Sequence, residues 1–516
     1  MNKIEEFIDK HVNKIFLIIF ILFAIILLYK IGLIPRGLHV DEAGMAFDAI
    51  SLITNGTDRY LNKMPVYLIN FGGGQSVLYA AFTSIFVGIF GFGIGIIRLP
   101  SVIITLISLL AIYRLIKVKV GKKEALLISF IYVIVPFNIM KTRWALDAYL
   151  FAPMLIIAVY CFSNAIEKCN YKYFVIAGVA FGFTLYTYII SYIIIPIVLA
   201  ILIIYYLIIN EIDFKQIIVF GIPLFLLALP LMLMVGYNSG VIPKFNLPIF
   251  NIPELWFFRG SEISFSNVSE NLDKIFEVIF IKDKLGYNAI ENFGTLYYIS
   301  IPFFIFGLVF SICDFINSLK RKENNLDFVF IVIFIITFMV SLCIEDININ
   351  KINAIYIPLI YFVAKGIWFL CNKFPKTYFM IIFIYLIELI LFLNMYFGEF
   401  ANTDLYLFEE NILYATEFAE SLNKENVYVE NCLNQTYIYT VLGSNTSTKE
   451  FSETYKLNGF SVIQFDKYQF YLNNTNEEYN KEWVYVIKLD LNLISKLEEE
   501  GFIKKTFGEW NVLYFK

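Results

Sequence analysis

The sequence predicts an α-helical protein that crosses a membrane about eleven times and ends in a small α/β domain. Of its 516 residues, 59% are hydrophobic and only 16% are charged, and the mean hydropathy is +0.70. Soluble proteins have about a quarter of their residues charged. Apolar runs of about 20 residues, the length that crosses a bilayer as a helix, recur up to residue 398 and then stop.

The first predicted span is the apolar run Ile15–Ile34. Lys3, Lys10 and Lys14 precede it, and no small-residue cleavage pattern follows it. A retained span with a cytoplasmic N-terminus is therefore expected instead of a cleaved signal peptide. The later spans are expected near residues 97–116, 124–140, 149–166, 173–190, 192–210, 216–235, 297–319, 327–344, 353–371 and 377–398.

Basic clusters set the orientation of these spans. They follow alternate spans, at Lys117–Lys123, Lys168–Lys172, Lys215, Lys320–Lys322 and Lys373–Lys376. The positive-inside rule puts all of them in the cytoplasm. The apolar segment Gln75–Gly93 is also long enough to cross, but a crossing there would move every later cluster outside. We therefore expect it to lie in the outer interface or between spans.

This layout divides the chain into two domains. Residues 1–400 form the predicted membrane domain, with outer loops at 35–96 and 237–296, and residues 401–516 form an extracytoplasmic domain. In the second domain, helix-like stretches alternate with short β-branched and aromatic runs, which is typical of a small α/β fold. From Glu399 onward there are 19 acidic and 10 basic residues. An acidic domain on a weakly basic membrane body argues against a nucleic-acid partner.

Two adjacent carboxylates, Asp41 and Glu42, follow the first span and would lie at the outer membrane surface. Transfer of a sugar requires a base or an orienting group for the acceptor. It also requires positive charge or a metal at the leaving phosphate. Neighbouring side chains on a helix diverge, so one of the two would face the substrate, and Asp48 would share the face of Asp41. The alternative is an ordinary acidic first turn of a surface helix.

Further motifs follow this acidic pair in order. They are Asp41-Glu42-Ala43, Lys63-Met64-Pro65, Gly88-Ile89-Phe90-Gly91 and Arg98-Leu99-Pro100-Ser101. The series resembles the opening of bacterial GT-C glycosyltransferases, related to protein O-mannosyltransferases and to the lipid A aminoarabinose transferase. The resemblance covers roughly residues 10–400 in layout, with motif identity concentrated before residue 155. It implies an acidic motif in the first outer loop, juxtamembrane helices, and Arg98 at the start of the second span.

The segment Lys141–Asp147 resembles the Ser-Arg…Leu-Asp segment of the O-mannosyltransferases. The Arg143 guanidinium, at the outer leaflet, can bind a lipid phosphate through two parallel hydrogen bonds. Asp147 would fix this arginine or bind the sugar, and Lys141 is a further candidate for substrate binding. The alternative is an arginine–aspartate pair that anchors a helix end at the interface.

Candidates for substrate binding also lie in two later outer segments. Lys351, before Pro358, corresponds to a basic position in the same family and would hold the carrier phosphate, although a solvated loop is the alternative. In the second outer loop, Arg259 ends an aromatic run that would dock a polyprenyl chain or serve as an interfacial anchor. Asn288 would line a sugar site.

Composition limits the cofactors. Only two histidines occur, His11 and His39, which excludes a multi-histidine metal site. No cofactor is assigned, and a divalent metal at Asp41 and Glu42 is the one metal site that the sequence leaves open. The six cysteines lack metal or redox spacing.

The glycine-rich segment Phe71–Gln75 lacks the Lys-Ser/Thr of a phosphate-binding loop and is expected to be a flexible joint.

The resemblance implies a plasma-membrane glycosyltransferase of GT-C fold that uses a polyprenyl-phosphate-linked sugar. Asp41 would act as base or acceptor-orienting group with support from Glu42, while Arg143, Lys351 and Arg98 would neutralise the leaving phosphate. The extracytoplasmic acceptor stays open among a cell-wall polymer, a glycolipid and a protein.

Two other functions are compatible with a chain that crosses a membrane many times. A transporter or flippase would need charged or helix-breaking positions at mid-membrane, and the predicted spans contain few charges apart from Glu388. A non-catalytic membrane scaffold that displays the acidic domain is the third reading.

Overall fold

The computed structural model describes residues 2–243, 249–257, 262–291, 293–433, 435–459, 461–472 and 479–516. Helices dominate as far as residue 397. They are α1 (Asn2–Leu28), α2 (Val40–Asn55), α3 (Val77–Phe90), α4 (Ile94–Lys119), α5 (Lys122–Ile134), α6 (Pro136–Thr142), α7 (Phe151–Lys168), α8 (Tyr171–Leu185), α9 (Ser191–Ile208), α10 (Phe214–Asn238), α11 (Val268–Phe280), α12 (Ser300–Arg321), α13 (Leu326–Cys343), α14 (Ile349–Ile352), α15 (Tyr356–Lys373) and α16 (Thr377–Phe397).

Nine helices of the described chain are long and apolar enough to cross a membrane, or ten if the bent pair α5–α6 forms one span. The chain is therefore a multi-pass membrane protein, as predicted. Two predicted spans differ in detail. The span at 124–140 bends by 57° between α5 and α6, because Pro136 cannot donate a backbone hydrogen bond and disfavours helical geometry at Val135. The span at 173–190 contains the shorter helix α8, which ends at Leu185.

The predicted non-crossing segment Gln75–Gly93 contains α3, which has 14 residues. At 1.5 Å per residue this helix is about 21 Å long, less than the roughly 30 Å hydrocarbon core of a bilayer. It packs between α2 and α4. Its length agrees with the expectation that this segment does not cross.

The region after residue 400 forms a mixed α/β unit. Its elements are β4 (Phe408–Glu409), α17 (Asn411–Ser421), β5 (Asn426–Val429), α18 (Thr436–Gly443), α19 (Thr448–Thr454), β6 (Lys456–Asn458), β7 (Ser461–Phe465), β8 (Tyr468–Gln469), β9 (Trp483–Ile487), α20 (Leu491–Glu499), β10 (Ile503–Phe507) and β11 (Trp510–Tyr514). Seven strands form one sheet in the order β10-β11-β9-β5-β8-β7-β6. Strand β5 runs parallel to both β9 and β8. This confirms the predicted C-terminal α/β fold.

Side chains alternate across this sheet, as strand geometry requires. Val427 and Val429 of β5 belong to a hydrophobic core that also contains Phe47 of α2. Tyr428, between them, packs on the opposite face with Leu493 of α20. One face of the sheet unit is therefore buried against the first outer loop, and the other carries α20.

Short strands in the first outer loop add to its contact with the sheet unit. Strand β1 (Leu38–His39) pairs antiparallel with β4, so that Leu38 lies opposite Glu409. Strands β2 (Tyr67–Leu68) and β3 (Gln75–Ser76) form a small hairpin in the same loop. These pairings fix the start of α2 between the membrane helices and the sheet unit.

Candidate active site

A cavity of about 140 Å³ lies where the start of α2, the β2–β3 hairpin, the segment after α6 and helix α14 meet. Asp41, Asp147 and Lys351, which the sequence singled out separately, all line it. Within the described part of the wall, Lys351 provides the only positive charge. The cavity therefore combines two carboxylates with one ammonium group.

Asp41 is held at the first turn of α2 by the cap of that helix. The backbone N–H of Asp41 donates to Nδ1 of His39 at 3.1 Å, and the His39 N–H donates to Oε2 of Glu42 at 3.0 Å. The Asp41 side chain keeps 34% of its surface exposed, while Nδ2 of Asn70 donates to its Oδ1 at 3.3 Å. Asp41 is thus a positioned carboxylate that still faces the cavity.

His39 is completely buried beside Asp41, and Trp144, Tyr287 and Phe408 surround its ring. Burial lowers the pKa of this imidazole more than the neighbouring carboxylates of Asp41 and Glu42 raise it. His39 is therefore neutral, which agrees with its Nδ1 acting as an acceptor in the helix cap. His39 therefore caps the N-terminus of α2 and adds no positive charge beside Asp41, the candidate base.

Glu42 points away from the cavity and pairs with Arg98. Both side chains are fully buried, and Nε and Nη2 of Arg98 bond to Oε1 and Oε2 of Glu42 at 2.8 and 2.9 Å. The remaining Arg98 donors reach the carbonyl oxygens of Ile31, Pro35 and Gly37. This geometry does not support the predicted phosphate contact of Arg98, because its donors are already used inside the protein. Glu42 likewise has no free oxygen for a substrate.

Arg143 is also buried and turned inward. Its Nη1 and Nη2 groups donate to the carbonyl oxygens of four residues near the end of α1, namely Ile26, Leu27, Tyr29 and Ile34. Its Nε donates to the hydroxyl of Tyr396 at 3.3 Å. All five guanidinium donors are used, so the predicted phosphate role of Arg143 lacks geometric support. The arginine binds carbonyl groups that the end of a helix leaves without partners.

Asp48 pairs with Arg59, a residue that the sequence reading did not single out. The guanidinium contacts both carboxylate oxygens, at 3.0 and 2.6 Å, and Arg59 and Asp48 are both fully buried. Arg59 also donates to the hydroxyl of Tyr437 in the sheet unit at 3.3 Å. Asp48 is therefore not available to the substrate as predicted. It helps to join α2 to the C-terminal unit.

The two other charged residues of the cavity are fixed by specific contacts. The carboxylate of Asp147 accepts hydrogen bonds from the backbone N–H groups of Ser76 and Ala148, each at 2.8 Å. Nζ of Lys351 contacts a carboxylate oxygen of Glu262 and the carbonyl oxygen of Glu345, each at 2.9 Å. These bonds hold a negative and a positive group at defined positions on the cavity wall.

Lys141 and Asn288 lie behind the wall in a buried polar network. Nζ of Lys141 donates to Oδ1 of Asn288 at 2.6 Å, and Nδ2 of Asn288 donates to Asp283 at 3.2 Å. The hydroxyl of Tyr149 contacts the amide oxygens of Asn288 and Asn350, and Asn350 lines the cavity. The predicted substrate contacts of Lys141 and Asn288 are therefore indirect, and Asp283 is a member of the network that the sequence reading missed.

The glycine-rich segment predicted to be a flexible joint is instead a packed turn between β2 and β3. Gly72 and Gly74 have φ angles of +87° and +84°, which L side chains rarely adopt. A Cβ atom at Gly72 would lie 2.8 Å from the ring of Trp256. This turn fixes Asn70 beside Asp41. Arg259, the remaining substrate-binding candidate, lies outside the described residues.

No three His, Cys, Asp or Glu side chains meet as a metal site within the ranges that the structure describes. At the predicted divalent-metal position, Glu42 is occupied by Arg98, which leaves Asp41 as the carboxylate with free surface there. A metal at this position stays a prediction.

Known proteins resemble this chain in two ways. A family model described as dolichyl-phosphate-mannose-protein mannosyltransferase matches residues 75–237. The solved structure of ArnT from Cupriavidus metallidurans bound to undecaprenyl phosphate has 12% sequence identity and a TM-score of 0.57, and the match covers 96% of this chain and 97% of that chain. No curated protein sequence matches.

The oligosaccharyltransferase of Archaeoglobus fulgidus, in a complex with Zn and sulfate, matches with 13% identity and a TM-score of 0.54. That match covers 83% of this chain but only 61% of the archaeal enzyme, so the chain spans less than two thirds of its length. The chain has the GT-C fold, and the predicted GT-C relation is confirmed. At these low sequence identities, the solved structures show the fold alone.

Proposed function

We propose that this protein transfers a sugar from a polyprenyl-phosphate carrier to an extracytoplasmic acceptor, with the chemistry at the Asp41 cavity. The observation that carries the proposal is the meeting of Asp41, Asp147 and Lys351 in one cavity. The bound undecaprenyl phosphate of the similar ArnT structure supports the class of donor. The acceptor can be a cell-wall polymer, a glycolipid or a protein.

In this mechanism the carboxylate of Asp41 accepts the proton of the acceptor hydroxyl or amine, or orients that group. The acceptor lone pair forms the new bond at the anomeric carbon. The bond to the carrier phosphate breaks, and its electron pair leaves with the phosphate oxygen, which inverts the anomeric centre. The charge of Lys351 stabilises the phosphate as its negative charge grows.

The remaining groups of the cavity position the substrates. Asp147 is held by two backbone N–H groups and lines the same cavity as Asp41, so its carboxylate lies where a sugar hydroxyl can contact it. Asn70 keeps the Asp41 carboxylate in place. Glu42 and Arg98 act indirectly, since their buried ion pair holds the first turn of α2 against the end of α1.

The substitution Asp41→Asn tests this proposal. Asparagine keeps the oxygen that accepts from Asn70, so folding should be retained, but it cannot take a proton. Loss of a positioned base typically lowers the rate about 10²–10⁴-fold. The measurement is the release of polyprenyl phosphate from undecaprenyl-phosphate-linked sugars, with purified protein and an envelope fraction as the source of acceptor.

Asp404→Asn is the matched control, because Asp404 is a largely exposed carboxylate outside the cavity. It should transfer at the rate of the unmodified protein. If Asp41→Asn also transfers at that rate, Asp41 has no role in the reaction and the proposed mechanism is wrong.

A further inference from the structure

A second cavity, of about 430 Å³, lies in the C-terminal sheet unit. It is formed by residues that follow the ends of three strands, with Glu430 and Asn431 after β5, Tyr471 after β8, and Asp490 after β9. These strands run parallel. In open α/β sheets, ligands bind in the crevice outside the carboxyl ends of parallel strands, and this volume is within the usual range for small-molecule sites.

This cavity is separate from the Asp41 cavity. The two share no lining residue among those described. Tyr428 and Leu493 place the second cavity on the α20 face of the sheet, whereas the opposite face is buried against α2. A ligand bound there would therefore not compete with a substrate at Asp41.

The charges of the second cavity disfavour phosphate ligands. Oε2 of Glu430 accepts hydrogen bonds from the backbone N–H groups of Lys488 and Leu489, each at 2.7 Å. Successive backbone N–H groups of this kind would otherwise attract an anion, but the protein fills the position with its own carboxylate. Asp490 adds a second negative charge, and Lys496 is the one positively charged residue among the described lining residues. No glycine-rich turn follows β5, unlike the strands that bind nucleotide phosphates.

The remaining lining groups combine aromatic rings with hydrogen-bonding side chains. Tyr471 is 51% exposed, and its hydroxyl accepts a hydrogen bond from Nδ2 of Asn431 at 3.0 Å. The ring is therefore held at the rim with much of its surface free. The Tyr428 hydroxyl is protonated at neutral pH and can donate a hydrogen bond, and burial with the carboxylates of Glu430 and Asp490 raises its pKa further, to about 12.

A sugar ring matches this arrangement, because it has an apolar face of C–H groups and an edge of hydroxyls. Aromatic residues with a polar tip bind such amphipathic surfaces, and the side chains of Asn492 and Asp490 can bond to the hydroxyls. We propose that the second cavity binds a neutral saccharide chain and makes the C-terminal unit a glycan-binding module. This binding does not depend on the proposed transfer reaction.

The test is titration calorimetry on the full-length protein in lipid nanodiscs, which avoids glycoside detergents. The probes are three neutral oligosaccharides, chitotetraose, cellotetraose and mannotetraose. At least one should bind, and Tyr471→Ala should weaken its binding about tenfold, equivalent to about 1.4 kcal/mol. Asn492→Ala, a change of an exposed side chain, should also weaken it. Tyr406→Ala, which removes an exposed tyrosine outside the cavity, should leave it unchanged.

The variant Asp41→Asn distinguishes saccharide binding at the second cavity from sugar transfer at the Asp41 cavity. It should bind the oligosaccharide with unchanged affinity, even though it is expected to lose transfer. The proposal is overturned if none of the three oligosaccharides binds. It is equally overturned if Tyr471→Ala and Asn492→Ala bind as tightly as the unmodified protein, or if Asp41→Asn abolishes binding.

Discussion

Arg59, Arg98 and Arg143 are completely buried around the first outer loop. Their guanidinium groups bind backbone carbonyls and buried carboxylates. Arginine suits this role because its rigid fork offers five donors and it is more weakly hydrated than lysine. These residues hold the polypeptide in place around the cavity, whereas Lys351 is the cation on the cavity wall.

The different roles of Arg143 and Lys351 give a prediction. Arg143→Ala leaves several buried carbonyl groups without a donor, each at about 1–3 kcal/mol, so the midpoint of thermal denaturation in detergent should fall. Folded Arg143→Ala protein should keep the donor KM of the unmodified protein. Lys351→Ala should keep the midpoint within about a degree and raise the donor KM.

The reverse pattern, with a raised donor KM for Arg143→Ala and none for Lys351→Ala, would contradict this assignment. It would mean that the carrier phosphate displaces the bonds of Arg143 to the end of α1.

The sequence identified part of this site. The acidic motif and the family resemblance indicate Asp41, Asp147 and Lys351, and these three residues meet in one cavity. The family resemblance also indicates Arg98 and Arg143, which donate to backbone carbonyls instead. Sequence position gives the depth of a residue in the membrane but not the direction of its side chain, because that direction depends on which helix packs beside it.

At the scale of elements, close contact between α12 and α15 depends on two glycines. A Cβ atom added at Gly307 would overlap the carbonyl oxygen of Phe362, and one at Gly366 would overlap that of Phe303. The two backbones therefore nearly touch, as small residues allow at membrane helix interfaces. Hydropathy located both helices but could not show this contact, because a glycine that packs and a glycine that faces lipid look alike in a sequence.

Gly366→Ala should therefore destabilise the membrane domain. A single added methyl group forces the two helices apart, and overpacking of this kind costs about 1–3 kcal/mol. The measurement is the midpoint of thermal denaturation of the purified protein. Gly221→Ala is the matched control, because a Cβ at Gly221 of α10 would meet open space. Equal midpoints for the two variants would show that α12 and α15 are not in close contact.

At the scale of the whole molecule, the sheet unit and the first outer loop form one folded body. They share a hydrophobic core in which the rings of Phe47 and Phe451 lie 5.5 Å apart. Arg59 bonds to Tyr437 across the same boundary, and β1 pairs with β4. The composition of the sequence predicts two domains. It cannot predict that they pack together, because contacts between residues nearly 400 positions apart leave no periodic pattern in the sequence. The sheet unit thus helps to fix α2, and with it Asp41.

The orientation of this body across the membrane is the last prediction. The basic clusters that follow alternate spans put the end of α4 and the end of α12 in the cytoplasm, so the cavity and the sheet unit should face outward. In a background without the six native cysteines, Lys63→Cys and Asp404→Cys should react with a membrane-impermeant thiol reagent on intact cells. Lys122→Cys and Lys322→Cys, which are also exposed, should react only after the cells are opened. Labelling of these two positions from outside would place Asp41 in the cytoplasm, where a carrier presented at the outer leaflet could not reach it.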